Sequence, residues 1–363
     1  MRITFVVATA DLSGGCKVIA IHARLLRERG HEVLVVAPAP WQPSARQRLR
    51  SLVKGSPLPR QVPDYERSHF VSQGVPLQVL DTYRPVTAAD VPDADVIVAT
   101  WWETAQWIRD FPRSKGAKAY FVQGWERYVE GQPGDEVDET LRYPFHKIAI
   151  SRYLAEVVHD VSGDDDVTLA ANAIDPEQFD APPRSKQDRP TLGFVYATSH
   201  WKGYDVTRAA IDRIREHAPD LRVIAFGAEP EKAEQMLPPG CELQHRPPQD
   251  RIREIYASAD VWLSSSRLEG FGLPGLEAMA CRTPLVSTRY GGPRDFVIDG
   301  ENGWLVDVDD ANGLAARALE VLRLEPDAWR RMSDAAHRTA HGHSWADSSL
   351  ALEEGLRRAL EKA

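Results

Sequence analysis

The sequence predicts an α/β protein made of two Rossmann-like β/α/β domains facing an interdomain cleft. Three observations carry that expectation. Apolar runs of strand length alternate with helical periodicity through both halves of the chain. A proline-rich break interrupts the alternation between residues 175 and 190. The length of 363 residues exceeds what a single ordinary core holds. The expected division is a first domain at 1–175, a linker at 176–190 and a second domain at 191–343, with a C-terminal helix at 344–363 in position to pack back on the first domain.

The elements follow in order. Residues 3–8 form a β-rich run, Ser13-Gly14-Gly15 is a turn, and Val18, Ile19, Ile21, His22, Leu25 and Leu26 fall at helical spacing. Gly30 ends that helix and Glu32–Ala37 is the next strand, a β-α-β unit that implies a parallel sheet with a right-handed crossover. Apolar runs at 95–99, 117–122 and 146–150 read as strands covered on both faces. The stretch 38–84 between them is polar and rich in Pro and Arg, and supports no assignment. Pro176, Pro182, Pro183 and Pro190 lie among charged residues, as in interdomain linkers. Alternation then resumes, with strands at 192–196, 221–226, 241–244, 261–264 and 284–287. Helices are expected from Tyr204, near Glu231, near Arg251 and from Pro274, and the chain beyond Asp310 reads as helical.

Composition narrows the function. Hydrophobic residues make up 43% and charged residues 27%, as in soluble globular proteins. A formal charge of −9, with neither half strongly basic, excludes nucleic acid as the main partner. Cys16, Cys241 and Cys281 have neither disulfide nor metal-ligand spacing, which points to a reducing, cytoplasmic setting. The apolar start is too short for a signal peptide, and no run is long enough for a membrane span. Arg46, Arg48, Arg50, Lys54 and Arg60, interleaved with Trp41, Leu49, Leu52 and Val53, read as a solvated face. The alternative is peripheral contact with the inner membrane face or with a phosphorylated acceptor. Asp164-Asp165-Asp166 reads as a solvated turn rather than a metal motif. His341 and His343 show no matching Cys, Asp or Glu cluster, so neither metal nor cofactor is expected.

The richest segment runs from Arg267 through Glu269-Gly270-Phe271-Gly272-Leu273-Pro274 to Glu277. It leaves a buried strand and enters a helix with Pro274 near its first turn. Glycines beside Phe271 let backbone amides approach a ligand, and the helix start offers N–H groups to a phosphate. Glu269 and Glu277 can both accept hydrogen bonds from the vicinal hydroxyls of a polyol. Lys202, in the loop after 192–196, supplies a cation.

This segment resembles the E-x7-E signature of retaining glycosyltransferases of the GT-B fold, family 4. Tyr256-Ala257-Ser258-Ala259-Asp260 before it is similar to that family, as is the text after it, Thr283 through Gly291-Gly292-Pro293 to Val306. The likeness is looser in the first domain, at Gly14-Gly15 and Gly30-His31-Glu32-Val33. It implies sugar transfer from a nucleoside-diphosphate sugar to an acceptor hydroxyl, with retention, by a hexosyl- or deoxyhexosyltransferase. The acceptor would be a saccharide, glycolipid or natural product bound by the first domain. Glu277 would hold the ribose, Glu269 a sugar hydroxyl, and Gly270, Phe271, Gly272 and Leu273 would line the sugar and diphosphate together with Gly14 and Gly15. Lys202 matches the lysine that neutralises the diphosphate, whereas Ala197 or Thr198 stands where the family carries an arginine; Arg267 and Arg294 are the candidate replacements.

Many members carry a histidine where this chain has Gln123, whose text Tyr120-Phe121-Val122-Gln123 is closer to a rhamnosyltransferase-like branch. An amide holds a hydroxyl but is no general base. The reaction centre is thereby assigned to Glu269, Lys202 and Gln123, with Trp101, Trp102 and Glu126 as acceptor-binding candidates beside an equal packing role. Two rivals remain: a phosphorylase-like enzyme of the same fold, and a catalytically silent nucleotide-sugar-binding scaffold subunit.

Overall fold

The structure, a computed structural model, describes residues 1–43, 46, 50, 65–129, 131–229, 231 and 236–363. Arg48, Lys54, Arg60, Leu49, Leu52 and Val53 of the basic stretch lie outside the described residues, as does most of the helix expected near Glu231. The chain forms two units. The first is Met1–Ile150, Ala155–Ala170 and Ser349–Ala363; the second is Ser151–Leu154 and Ala171–Ser348.

The first unit holds a parallel sheet of seven strands. They are β1 (Arg2–Val6), β2 (Glu32–Ala37), β3 (Leu77–Val79), β4 (Val96–Ala99), β5 (Ala117–Val122), β6 (His146–Ala149) and β7 (Val167–Leu169). Their order is β3-β2-β1-β4-β5-β6-β7, so the winding reverses between β1 and β4. Arg2 is paired in register with Glu32, and Ile3 with Val96. The four residues of β4 are all buried, which is why that run is wholly apolar. The Gly14–Glu28 helix is capped by the Ser13 hydroxyl. It ends in paired bonds from His31 N–H to the Leu26 carbonyl (3.1 Å) and from Gly30 N–H to that of Arg27 (2.9 Å).

The second unit holds six parallel strands: β8 (Thr191–Val195), β9 (Arg222–Gly227), β10 (Glu242–His245), β11 (Val261–Ser264), β12 (Leu285–Thr288) and β13 (Gly303–Val306). Their order, β10-β9-β8-β11-β12-β13, is that of a doubly wound Rossmann sheet, with its reversal between β8 and β11. The core includes Phe194, Ile211, Leu263, Leu314 and Trp329. Gly193 accommodates Trp262 across the sheet: a Cβ at 193 would lie 2.1 Å from the indole. β3 and β13 went unread in the sequence because both are short edge strands with partly exposed residues and little periodicity.

One expectation needs correcting. Residues 176–190 are not a free linker but are stitched into the second unit. The buried Asp260 carboxylate accepts the N–H of Gln187 (2.8 Å) and of Thr191 (2.9 Å), and Lys186 donates to the Leu322 carbonyl at 2.7 Å. The acidic turn is solvent-exposed and carries surface ion pairs: Asp166 with Arg358 (3.0 Å) and Lys362 (2.8 Å), and Asp165 with His159 (2.8 Å). The Trp345–Glu361 helix buries Leu352 and Leu356, and Gly355 brings it against Ile148. No helix among the described residues is long and apolar enough to cross a membrane.

Candidate functional site

In open parallel sheets ligands sit beyond the carboxyl ends of the strands where the winding reverses. In the second unit those ends are the loops after β8 and β11, which carry Lys202 and Glu269. The loops are bonded to each other. Gly203 adopts φ +63°, and a Cβ there would lie 2.1 Å from the Ser265 carbonyl oxygen, so the two backbones meet only because residue 203 has no side chain. The Ser265 hydroxyl donates to the Gly203 carbonyl at 2.7 Å, and Arg267 N–H donates to that of Trp201 at 2.7 Å. The outcome is an ion pair, Lys202 Nζ to Glu269 Oε1 at 2.9 Å, with the Ser266 hydroxyl donating to the same oxygen. Lys202 keeps 32% of its side chain exposed and Glu269 16%, so the pair is accessible to a ligand.

The loop then turns into the Leu273–Ala280 helix through Gly272 at φ +92°, with Pro274 in the first turn. Phe271 is buried against Phe296 (5.5 Å between ring centres) and His343 (6.0 Å), so its side chain anchors the loop. Glu277 lies one turn into the helix and accepts from the Tyr256 hydroxyl at 2.9 Å. Burial holds the Tyr256 phenol well above its ordinary value, so it is a dependable donor. Sequence reasoning assigned no role to Tyr256, Ser266 or Ser265. The only signal was that Tyr256 opens a stretch resembling the family.

The two arginines separate. Arg267 is engaged by acids: Nη2 lies 2.6 Å from Asp205, Nε lies 2.6 Å from Asp309, and Nη1 donates to the His200 carbonyl at 2.7 Å. Its charge is met by these acids within the loop system. Arg294 is exposed in the Gly292–Asp295 turn, following Gly291, which bridges to Glu269.

In the first unit, Gly14 and Gly15 begin the helix after β1, and a Cβ at Gly15 would lie 3.7 Å from both amide atoms of Gln123. The Gln123 Oε1 is buried with no hydrogen-bond partner among the described residues, an acceptor left for a ligand. Glu126 is buried, and burial pushes its carboxyl up to about 7. Trp101 is half-buried at the start of the Trp102–Ile108 helix. Trp102 is not an open platform: its ring is buried and its Nε1–H donates to Gln132 at 3.1 Å.

His341 also differs from expectation. It does have partners, because Asp180 and His337 are brought beside it. His343 packs on Phe271 and Phe296 instead.

Residues 175–339 match the family described as glycosyl transferases group 1. The fold is the two-domain GT-B fold. An N-acetyl-alpha-D-glucosaminyl L-malate synthase from Bacillus anthracis is 38% identical over 93 residues, 26% of this chain and 24% of the relative. A D-inositol 3-phosphate glycosyltransferase from Rhodococcus opacus is 31% identical over 211 residues, 54% of this chain and 45% of the relative. The chain thus spans less than half the length of these curated relatives. Among solved structures, Anabaena HepE in complex with UDP and glucose aligns over 99% of this chain and 100% of its own, with TM-score 0.73 and 17% identity. The group 1 segment contains Lys202, Glu269 and Glu277 and, with them, the whole reversal point of the second sheet.

Proposed function

We propose that the protein is a retaining glycosyltransferase of the family 4 type. It would move a hexosyl or deoxyhexosyl group from a nucleoside-diphosphate sugar to the hydroxyl of a saccharide, glycolipid or natural product. The observation that carries this reading is the Lys202–Glu269 pair at the reversal point of the second sheet, beside the start of the helix that bears Glu277. Glu277 is the ribose ligand. The N–H groups at the helix start receive the diphosphate. Negative charge grows on the leaving oxygen as the glycosidic bond breaks, and the Lys202 ammonium is the cation placed to stabilise it. Before donor binds, Glu269 holds that ammonium in position; the donor's phosphate then competes for it, and Glu269 takes a sugar hydroxyl. Gln123, with its unpartnered acceptor oxygen, positions a hydroxyl rather than removing its proton. No metal enters this scheme.

HepE, a neighbour of similar fold, was solved with UDP and glucose, which makes UDP the first probe. The test is calorimetric binding of UDP, dTDP and GDP to wild type and Glu277→Ala, followed by hydrolysis of the matching sugar conjugates. Micromolar binding of one nucleotide, lost in the variant, with slow hydrolysis of its conjugate, is the expected result. Absence of binding, or equal binding by the variant, would overturn the assignment.

A further inference from the structure

The Pro326–His341 helix ends with two histidines four residues apart, which places both rings on one face. His337 and His341 lie side by side, with ring centroids 4.1 Å apart and planes tilted by 34°. Asp180, from the segment ahead of the second sheet, meets both: its Oδ1 is 2.8 Å from His337 Nε2 and 3.4 Å from His341 Nε2. All three ligand-type atoms lie within 4.8 Å of one another. The His341 Nε2 is buried and takes no hydrogen bond among the described residues. In the neutral ring with its proton on Nδ1, Nε2 presents a lone pair beside Asp180 and His337.

We propose that Asp180, His337 and His341 form a binding site for a divalent transition-metal ion of the Zn2+ type, with water completing the coordination. Two imidazoles and one carboxylate suit Zn2+, whereas Mg2+ and Ca2+ favour sets made only of oxygens. Tetrahedral Zn2+ with bonds of about 2.0–2.1 Å spaces its ligands by roughly 3.3 Å. The Asp180–His341 separation already fits. The Asp180–His337 pair has to open by about 0.5 Å, which a rotation of the exposed Asp180 side chain supplies. The nearby Arg282 cation is neutralised by Asp334, so it does not oppose an incoming ion at full charge.

The role this assigns is structural. The ion would tie residue 180 to the end of the Pro326–His341 helix. None of its three ligands belongs to the Lys202–Glu269 pair, and the inference does not rest on the glycosyltransferase reading.

The experiment uses the full chain, stripped of metal, titrated with Co2+ and then Zn2+. Wild type is expected to bind one Co2+ with the intense visible absorption of a four-coordinate ion, to lose that absorption to added Zn2+, and to unfold a few degrees higher with micromolar Zn2+ but not with Mg2+. His337→Ala and Asp180→Ala, both at solvent-accessible positions, should lower Zn2+ affinity about tenfold or more while keeping the metal-free unfolding temperature. Lack of stoichiometric Co2+ binding in wild type overturns the proposal whatever the variants do. Variants that fold and bind as tightly as wild type overturn it equally.

Discussion

The Tyr256 hydroxyl reaches Glu277 at 2.9 Å while its ring is fixed between Trp262 (4.6 Å between centres) and Phe226 (5.4 Å). A buried aromatic thus sets the rotamer of an accessible carboxylate. Tyr256→Phe keeps the ring packing and removes the bond, worth about 0.5–1.5 kcal/mol. The nucleotide dissociation constant should rise about two- to tenfold with little change in unfolding temperature, checked by calorimetry and thermal melts. Glu126 makes a different residue-scale prediction. Burial raises its carboxyl from 4.5 to about 7, so the folded state binds the proton more tightly than the unfolded chain. Its penalty is absent below pH 4.5, grows between there and about 7, and is full above that. Glu126→Gln should therefore stabilise the protein at pH 8 by on the order of 2–3 kcal/mol and by almost nothing at pH 4.5, as read from denaturant melts at both pH values.

At the scale of elements, neighbouring strands and loops decide which residue types are allowed. β8 passes under Trp262, and a Cβ at Gly193 would sit 2.1 Å from that ring. Both residues are buried in a close-packed layer, so Gly193→Ala forces the indole to shift, and the expected destabilisation is about 1–3 kcal/mol by urea melt. Sequence periodicity located β8 and β11 to within a residue, because a strand covered on both faces is a continuous apolar run. It could not locate Gly193 against Trp262, since nothing local records which strands become neighbours. The Leu273–Ala280 helix was legible for a similar local reason. Gly272 and Pro274 are start signals wherever they occur, whereas the Gly203–Ser265 contact that brings Lys202 to Glu269 joins two loops 62 residues apart.

For the molecule as a whole, the last helix meets the end of the Gly14–Glu28 helix within the first unit. Glu353 accepts from Arg29 at 2.6 Å and Arg357 at 2.7 Å, and lies 3.2 Å from His31. Burial alone would push its carboxyl up, but the hydrogen bonds from Arg357, Arg29 and His31 together outweigh that and hold it down at about 2. A carboxyl depressed in the folded state adds stability above its unfolded value, which is lost as pH falls from 4.5 toward 2. Because Arg29 and Arg357 are substantially solvated, the contribution is discounted to about 1–2 kcal/mol. Glu353→Gln should lower stability by that amount at pH 7 and by much less near pH 2.5, measured by denaturant melts.

The sequence by itself determined the alternation of strands and helices, the two successive sheets, and the Glu269–Glu277 loop with its helix start. Each of these is written within one element's length, as periodicity, turn chemistry or spacing. Tertiary structure alone decided that Arg267 is occupied by Asp205 and Asp309, that Trp102 is interior, and that residues 176–190 are stitched to Asp260. It also decided that Asp180 meets His337 and His341 across more than 150 residues. Those outcomes depend on where long polar side chains find partners once the backbone is packed. A charge or imidazole carries no local mark of the distant group that will neutralise it.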